Sequence, residues 1–164
     1  MPVLRPRAYV ADVTSVDLAS LRAVGVRAIL LDIDNTVLPL HKDECPPKIA
    51  EWVFGLGKAG FRVRFVSNNW HADLRERVAR FGYGVTAKAM KPLPFGLRNA
   101  AEALGVEPRE CAMIGDQIFT DVLAGNLAGC VTVLVQPLTP SDLPHTVVLR
   151  HVERLIMANR APEG

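Results

Sequence analysis

Two carboxylates stand two residues apart in Asp32-Ile33-Asp34-Asn35-Thr36, directly after the apolar run Ile29-Leu30-Leu31. In an extended chain, residues i and i+2 point to the same side, so Asp32 and Asp34 can face one cavity. Adjacent carboxylates repel unless a cation or a shared proton lies between them. Placing such a pair at the end of a core strand is costly, and chemistry that uses a cation or moves a proton is the usual reason for it. Taken alone, the stretch also fits a strand that ends in an Asp-Asn turn, since both residues favour turns. The rest of the chain separates the two readings.

Other polar residues stand at equivalent places downstream. Phe61-Arg62-Val63-Arg64-Phe65-Val66 reads as a strand and gives out at Ser67-Asn68-Asn69. Val85-Thr86-Ala87 is a short strand, and Lys91-Pro92 stands before the helical pattern Phe95 to Leu104. Cys111 to Gly115 is a further strand that ends in Asp116, with Asp121 five residues on. Each residue has a plainer reading when taken singly. Ser67 fits a helix cap or turn, Lys91 competes with Lys88, and Asp121 suits the first turn of a helix. What they share is position, because each cluster sits where an apolar strand stops or a helix begins.

The elements that would hold them alternate. Arg27 to Asp32, residues 61–66, 85–87 and 111–115, and Val131 to Val135 read as five strands. Between them, helical patterns run from Pro47 to Lys58, His71 to Phe81, Phe95 to Leu104 and about Thr120 to Ala128. A short helix precedes them through Leu18, Leu21 and Val24, ending at Gly25. Strands alternating with helices predict an α/β fold, a parallel sheet with helices on both faces. In such sheets ligands bind outside the carboxyl ends of the strands, which is where the polar clusters fall. Residues 1–13, rich in Pro and Arg, read as an extended arm; residues 137–164 read as a loop followed by a closing helix from Val147 to Ala158.

The 164 residues are 49% apolar and 22% charged, with a net charge of +2. This is an ordinary globular balance, and the length suits one domain over residues 1–164 with a proper core. So small a net charge argues against nucleic acid as a partner. Cys45, Cys111 and Cys130 are scattered and form no C-x-x-C pair, which argues against a disulfide framework or a zinc site. The first seven residues lack the apolar core of a signal peptide. No apolar run approaches the ~20 residues that span a bilayer. A cytoplasmic location is expected, with peripheral membrane attachment left open. The histidines His41, His71, His145 and His151 lack ligand spacing and read as surface residues. Trp52 and Trp70 read as packing, and Arg75, Arg77 and Arg80 as a solvated helix face.

Taken in order, the clusters closely resemble the haloacid dehalogenase (HAD) superfamily of phosphotransferases over residues 27–136. Its four motifs have counterparts in Asp32-Ile33-Asp34-Asn35-Thr36, in Ser67 after Phe65-Val66, in Lys91-Pro92, and in Gly115-Asp116-Gln117-Ile118-Phe119-Thr120-Asp121. The resemblance implies a three-layer, Rossmann-like fold and a magnesium-dependent phosphatase. Asp32 would be the nucleophile that forms an aspartyl-phosphate, and Asp34 the acid and then the base. Magnesium would bind Asp32, the Asp34 backbone carbonyl and Asp116. Ser67, Asn68 and Lys91 would hold the phosphate. Asp121 would position Lys91 or a metal-bound water, and Thr36 and Asn35 would shape the loop.

Members of this superfamily commonly carry an inserted cap domain. Here Val37 to Pro47 is too short for one, and residues 68–90 hold only a helix and a strand, so no folded cap is expected. The wording of the first two motifs is similar to the YqeG-type branch, HAD subfamily IIIA, which in turn resembles phosphatidylglycerophosphate phosphatases. This implies a phosphorylated, lipid-borne substrate. Arg5 and Arg7 of the arm, and Val148, Val152, Leu155 and Ile156 of the closing helix, are candidates for contact with an anionic membrane surface. An open site would also suit closure by a second subunit in a homo-oligomer. Two readings of other classes stand beside this one, a receiver-like phospho-accepting signalling domain and a catalytically silent binding module. The D-x-D pair on one strand argues against the first, and the full set of motif residues against the second.

Overall fold

The computed structural model describes residues 2–139. The expected closing helix from 147 to 158, with His145 and His151, lies outside the described residues. Six strands form one sheet: β1 (Ala8–Val10), β2 (Ala28–Leu31), β3 (Arg62–Val66), β4 (Gly84–Thr86), β5 (Cys111–Gly115) and β6 (Val131–Val135). Their spatial order is β1-β6-β5-β2-β3-β4 and every neighbouring pair is parallel. The helices are α1 (Leu18–Ala23), α2 (Pro47–Lys58), α3 (Leu74–Val78), α4 (Phe95–Ala103) and α5 (Leu123–Ala128).

The two faces of the sheet follow from the two-residue period of a strand. In β2 every residue is buried, so its apolar run is continuous rather than alternating. Ile29 and Leu31 pack in a cluster with Leu21 of α1, Ile49, Val53 and Leu56 of α2, and Leu74 and Val78 of α3. Ala28 and Leu30 pack on the other face with Leu97 and Ala100 of α4 and Ala124 and Ala128 of α5. The result is the three-layer arrangement expected from the sequence. From β2 the chain runs outward through β3 to β4; from β5 it turns the other way to β6. The order therefore reverses between β2 and β5, the two strands that deliver Asp32 and Asp116.

The sixth strand corrects the expectation for the arm. Residues 8–10 pair with Val133, Leu134 and Val135 of β6. Three residues at a sheet edge carry no readable period of their own, and β6 supplies the template. Because all strands are parallel, Arg5 and Arg7 lie at the amino end of the sheet, where the Arg7 N–H donates to Thr132 O at 2.8 Å. The expected helix from His71 to Phe81 is shorter, with α3 passing into a 3-10 turn over Ala79–Phe81 that ends at Gly82 with φ 74°. The three cysteines are free and buried, and burial pushes the thiols of Cys111 and Cys130 up to about 12. Among the described residues, no helix is long and apolar enough to cross a membrane.

Gly96, in the first turn of α4, marks a close approach. A Cβ there would overlap the Ala89 carbonyl oxygen, Cα and Cβ, and so would push the loop that carries Lys91 away from the helix. Gly96→Ala is expected to destabilise the protein by about 1–3 kcal/mol, the usual range for overpacking, read as a lower urea midpoint at unchanged m-value.

Candidate active site

Asp32 follows β2 and extends its ladder by one bond, the N–H donating to Ile114 O at 2.9 Å. The chain then folds back on itself. The N–H groups of Thr36, Val37 and Leu38 all point at Ile33 O, at 3.0–3.3 Å, and Asn35 takes a left-handed φ of 64°. Asn tolerates that region better than most residues. Ile33, Val37 and Leu38 are buried beneath this turn, so the loop that presents Asp34 is anchored in the core.

Lys91 reaches the same point from the far side. Its side chain is 2% exposed, and its ammonium donates to Asp32 Oδ1 at 2.7 Å, Asp121 Oδ1 at 2.6 Å and Val66 O at 3.2 Å. Three donors therefore have three acceptors. Thr36 Oγ1 donates to Asp32 Oδ2 at 3.1 Å, so both oxygens of Asp32 are held. Asp121 is equally constrained, since its Oδ2 accepts from the Gln117 N–H at 3.1 Å across the π-helical turn Ile118–Val122. Of the two placements considered for Asp121, the contact with Lys91 is present.

Asp32, Asp116 and Asp121 are all buried, and each offers a carboxylate oxygen within 4.8 Å of the others. Asp34 faces a cleft of about 410 Å³ that Asp32, Ser67, Asn69, Lys91 and Gln117 also line. Ser67 is buried at the end of β3, and its Oγ accepts from the Asn69 N–H at 3.0 Å. Four carboxylates thus share a small volume with Lys91 and one arginine. Burial, reinforced by the charges of Asp121 and Asp34 and opposed by Lys91, pushes the Asp32 carboxyl up from its ordinary 3.8 to about 7. Despite its burial, Lys91 is held above the usual lysine range by Asp121 and Asp32. One ammonium does not neutralise three buried carboxylates, which leaves room for a hard cation among oxygen donors.

Four side chains have surroundings beyond those read from the sequence. The amide of Asn68 is occupied by Lys91, donating to its carbonyl at 2.9 Å and accepting from its N–H at 2.8 Å. Asn68 therefore clamps the backbone of the lysine, across a Lys91-Pro92 bond that is cis. Arg77 is not part of a solvated face. Its side chain is 15% exposed and pairs with Asp34 at 3.3 Å and Asp43 at 3.1 Å. The signal was spacing, because Arg77 stands at i+3 from Leu74 and beside Val78 on the buried side of α3. Trp70 is 75% exposed, not packed, whereas Trp52 packs partly buried on the core. His71 lines the cleft mouth rather than a plain surface.

Comparison with known proteins agrees with this geometry. The chain is 31% identical over 159 residues to the probable phosphatase YqeG of Bacillus subtilis, covering 97% of this chain and 92% of that one. It belongs to the YqeG branch of the HAD superfamily. The HAD-hydrolase-like family profile matches residues 89–137. A chloroplastic phosphatidylglycerophosphate phosphatase of Chlamydomonas reinhardtii is 30% identical over 163 residues, 93% of this chain, which spans 61% of that relative's length. The fold is shared with a HAD family hydrolase of Deinococcus radiodurans with bound phosphate and sodium, at TM-score 0.57 and 16% identity, over 82% of this chain and 96% of that one. Like these HAD folds, the chain has the parallel sheet with helices on both faces, and among the described residues no domain is inserted beside the cleft.

Lys91→Met removes the cation between Asp32 and Asp121 and is expected to cost about 3–5 kcal/mol at pH 8, as breaking a buried pair does, measured by chemical denaturation. Asp32 works in the opposite direction. A carboxyl whose pKa is raised on folding binds more protons folded than unfolded, so stability falls as pH rises from about 4 to about 7. In chelator, Asp32→Asn is therefore expected to raise the melting temperature above pH 7, with the gain shrinking toward pH 4.

Proposed function

We propose that the protein is a magnesium-dependent phosphomonoester hydrolase working through a phosphorylated Asp32, with a lipid-borne phosphate as substrate. The observation that carries this reading is the Lys91 ammonium held between Asp32 and Asp121, with Asp116 alongside and Asp34 facing the same cleft. Phosphoryl transfer asks a protein for in-line placement of a nucleophile and for positive charge around the equatorial oxygens. A carboxylate fixed at both oxygens supplies the first.

In the first step an Asp32 oxygen attacks phosphorus, and the bond to the leaving alcohol breaks. Asp34 gives its proton to the departing oxygen. In the second step water attacks the same phosphorus; Asp34 takes the water's proton, the Asp32–phosphate bond breaks, and inorganic phosphate leaves. Lys91 holds the Asp32 carboxylate and screens its charge from the incoming phosphate. Ser67, whose oxygen already accepts from Asn69, turns its O–H toward a phosphoryl oxygen. Asn68 contributes by fixing Lys91, and Thr36 by fixing the plane of Asp32. The carboxylates of Asp32 and Asp116 and the Asp34 backbone carbonyl would hold magnesium. Bound there, it supplies charge neutralisation at the phosphoryl oxygens. The donor set fits, being all hard oxygen in a site with surplus negative charge.

The substrate reading rests on the open cleft and on the similarity to the chloroplastic phosphatidylglycerophosphate phosphatase of Chlamydomonas reinhardtii. Among the described residues no cap domain covers the cleft, and an open site admits a phosphate attached to something that does not fit inside a closed pocket, such as a glycerophospholipid head group. Phosphate release from dispersed phosphatidylglycerophosphate and from a soluble aryl phosphate tests both levels. Wild type should release phosphate only with magnesium present, and Asp32→Asn should lose about three orders of magnitude or more, as removal of a nucleophile does. Asp34→Asn should lose about 10²–10⁴-fold, the range for general acid–base catalysis. Equal release by wild type and Asp32→Asn would sink the mechanism. Preference for the aryl phosphate over the lipid would sink the substrate.

A further inference from the structure

Among the described residues, the four most exposed large apolar side chains are Trp70 at 75%, Met90 at 57%, Phe95 at 55% and Leu93 at 48%. All four belong to the two segments that carry Ser67 and Lys91. These segments are joined, with the Ala89 N–H donating to Ser67 O at 3.0 Å and the Lys88 N–H to Asn69 O at 3.4 Å. The Lys88 ammonium lies 5.4 Å from the centroid of the Trp70 ring. Lys88 and Met90 both take left-handed φ angles, 51° and 54°, which long side chains seldom adopt. Along this stretch exposure alternates, with Lys88 and Met90 outward and Ala89 and Lys91 buried. The backbone that turns Lys91 into the cleft turns Met90 out beside it.

We propose that Trp70, Met90, Leu93 and Phe95, with Lys88, form a rim that docks on an anionic bilayer and sets the cleft against the head groups. The proposal rests on the lipid-borne substrate argued above and names the surface that would meet it. The composition suits an interface, with an indole at head-group level, apolar tips at the acyl boundary and a lysine facing anionic phosphate. Position argues for a bilayer over a protein. Trp70 stands between Asn69 and His71, and Met90 beside Lys91, and Asn69, His71 and Lys91 all line the cleft, so a protein seated on this surface would cover the entrance, while a bilayer presents substrate there. Arg5 and Arg7, at the amino end of the parallel sheet, face away from this surface and are not part of it.

The test reads binding without turnover. Full-length Trp52→Phe leaves Trp70 as the one tryptophan. Its emission should shift to the blue, and the protein should co-sediment, with phosphatidylcholine vesicles containing phosphatidylglycerol more than with phosphatidylcholine alone. In the otherwise wild-type chain, Trp70→Ala/Met90→Ser/Phe95→Ser should weaken co-sedimentation at least about tenfold and lower hydrolysis of vesicle-borne substrate, with aryl phosphate hydrolysis unchanged. Lys88→Glu should remove the preference for anionic vesicles. Absence of vesicle binding by wild type, or binding by the triple variant equal to wild type, overturns the proposal. So does a dimer, seen by sedimentation velocity, that the triple variant abolishes. Loss of aryl phosphate hydrolysis in wild type instead strikes the hydrolase reading, since binding is scored independently.

Discussion

Burying an ammonium costs several kcal/mol unless other groups replace the water it gives up. Lys91 meets that condition with two carboxylates and a carbonyl, drawn from the ends of β2 and β3 and from the turn after β5. Because each acceptor comes from a different element, the lysine fixes their relative positions as much as they fix its own. Asn68 holds the lysine's backbone, Gln117 holds the second oxygen of Asp121, and Thr36 holds the second oxygen of Asp32. The reversal of strand order between β2 and β5 opens the crevice in which these contacts are made.

The same contacts leave the site short of positive charge. Lys91 and Arg77 face Asp32, Asp34, Asp116 and Asp121, and the Asp32 carboxyl is raised by burial first and by the neighbouring carboxylates of Asp121 and Asp34 after it, against the pull of Lys91. A cation held among the carboxylates would favour the ionised form of the nucleophile. The stability cost of the crowded carboxylates and the readiness of the site for a metal are therefore one electrostatic fact seen in two states.

The sequence displayed the chemistry more plainly than the scaffold. Four polar clusters at four strand ends could be read because β2 and β5 are buried on both faces and leave uninterrupted apolar runs, while β3 alternates and gives out at Ser67, and Asp32, Ser67, Lys91 and Asp121 do converge. What escaped depended on partners distant in the chain. β1 is a strand because β6 lies beside it. The clamp of the Asn68 amide on the Lys91 backbone joins residues 23 positions apart, which no local pattern shows. Arg77 looked solvated because arginines on either side of it are, and only its i+3 relation to Leu74 separated it from them. The rim tryptophan shows the converse. Trp70 was expected to pack because tryptophans generally do, and nothing local to it said that the loop would turn it outward.

One further contact ties the far edge of the chain to the nucleophile loop. Asn35, held at a left-handed φ, donates through its amide to Thr139 O and accepts from the Thr139 N–H and Oγ1, each at 2.8 Å, while its carbonyl accepts from the Leu138 N–H at 3.0 Å. Asn supplies donor and acceptor from a short side chain at a backbone angle it tolerates, which Asp, lacking the donor, would not. The segment leaving β6 is thereby fastened to the residue next to Asp34. Asn35 thus does at the exit of β6 what Asn68 does at Lys91: an amide, uncharged in a crowded electrostatic site, closes a backbone onto the machinery without adding to the surplus of negative charge.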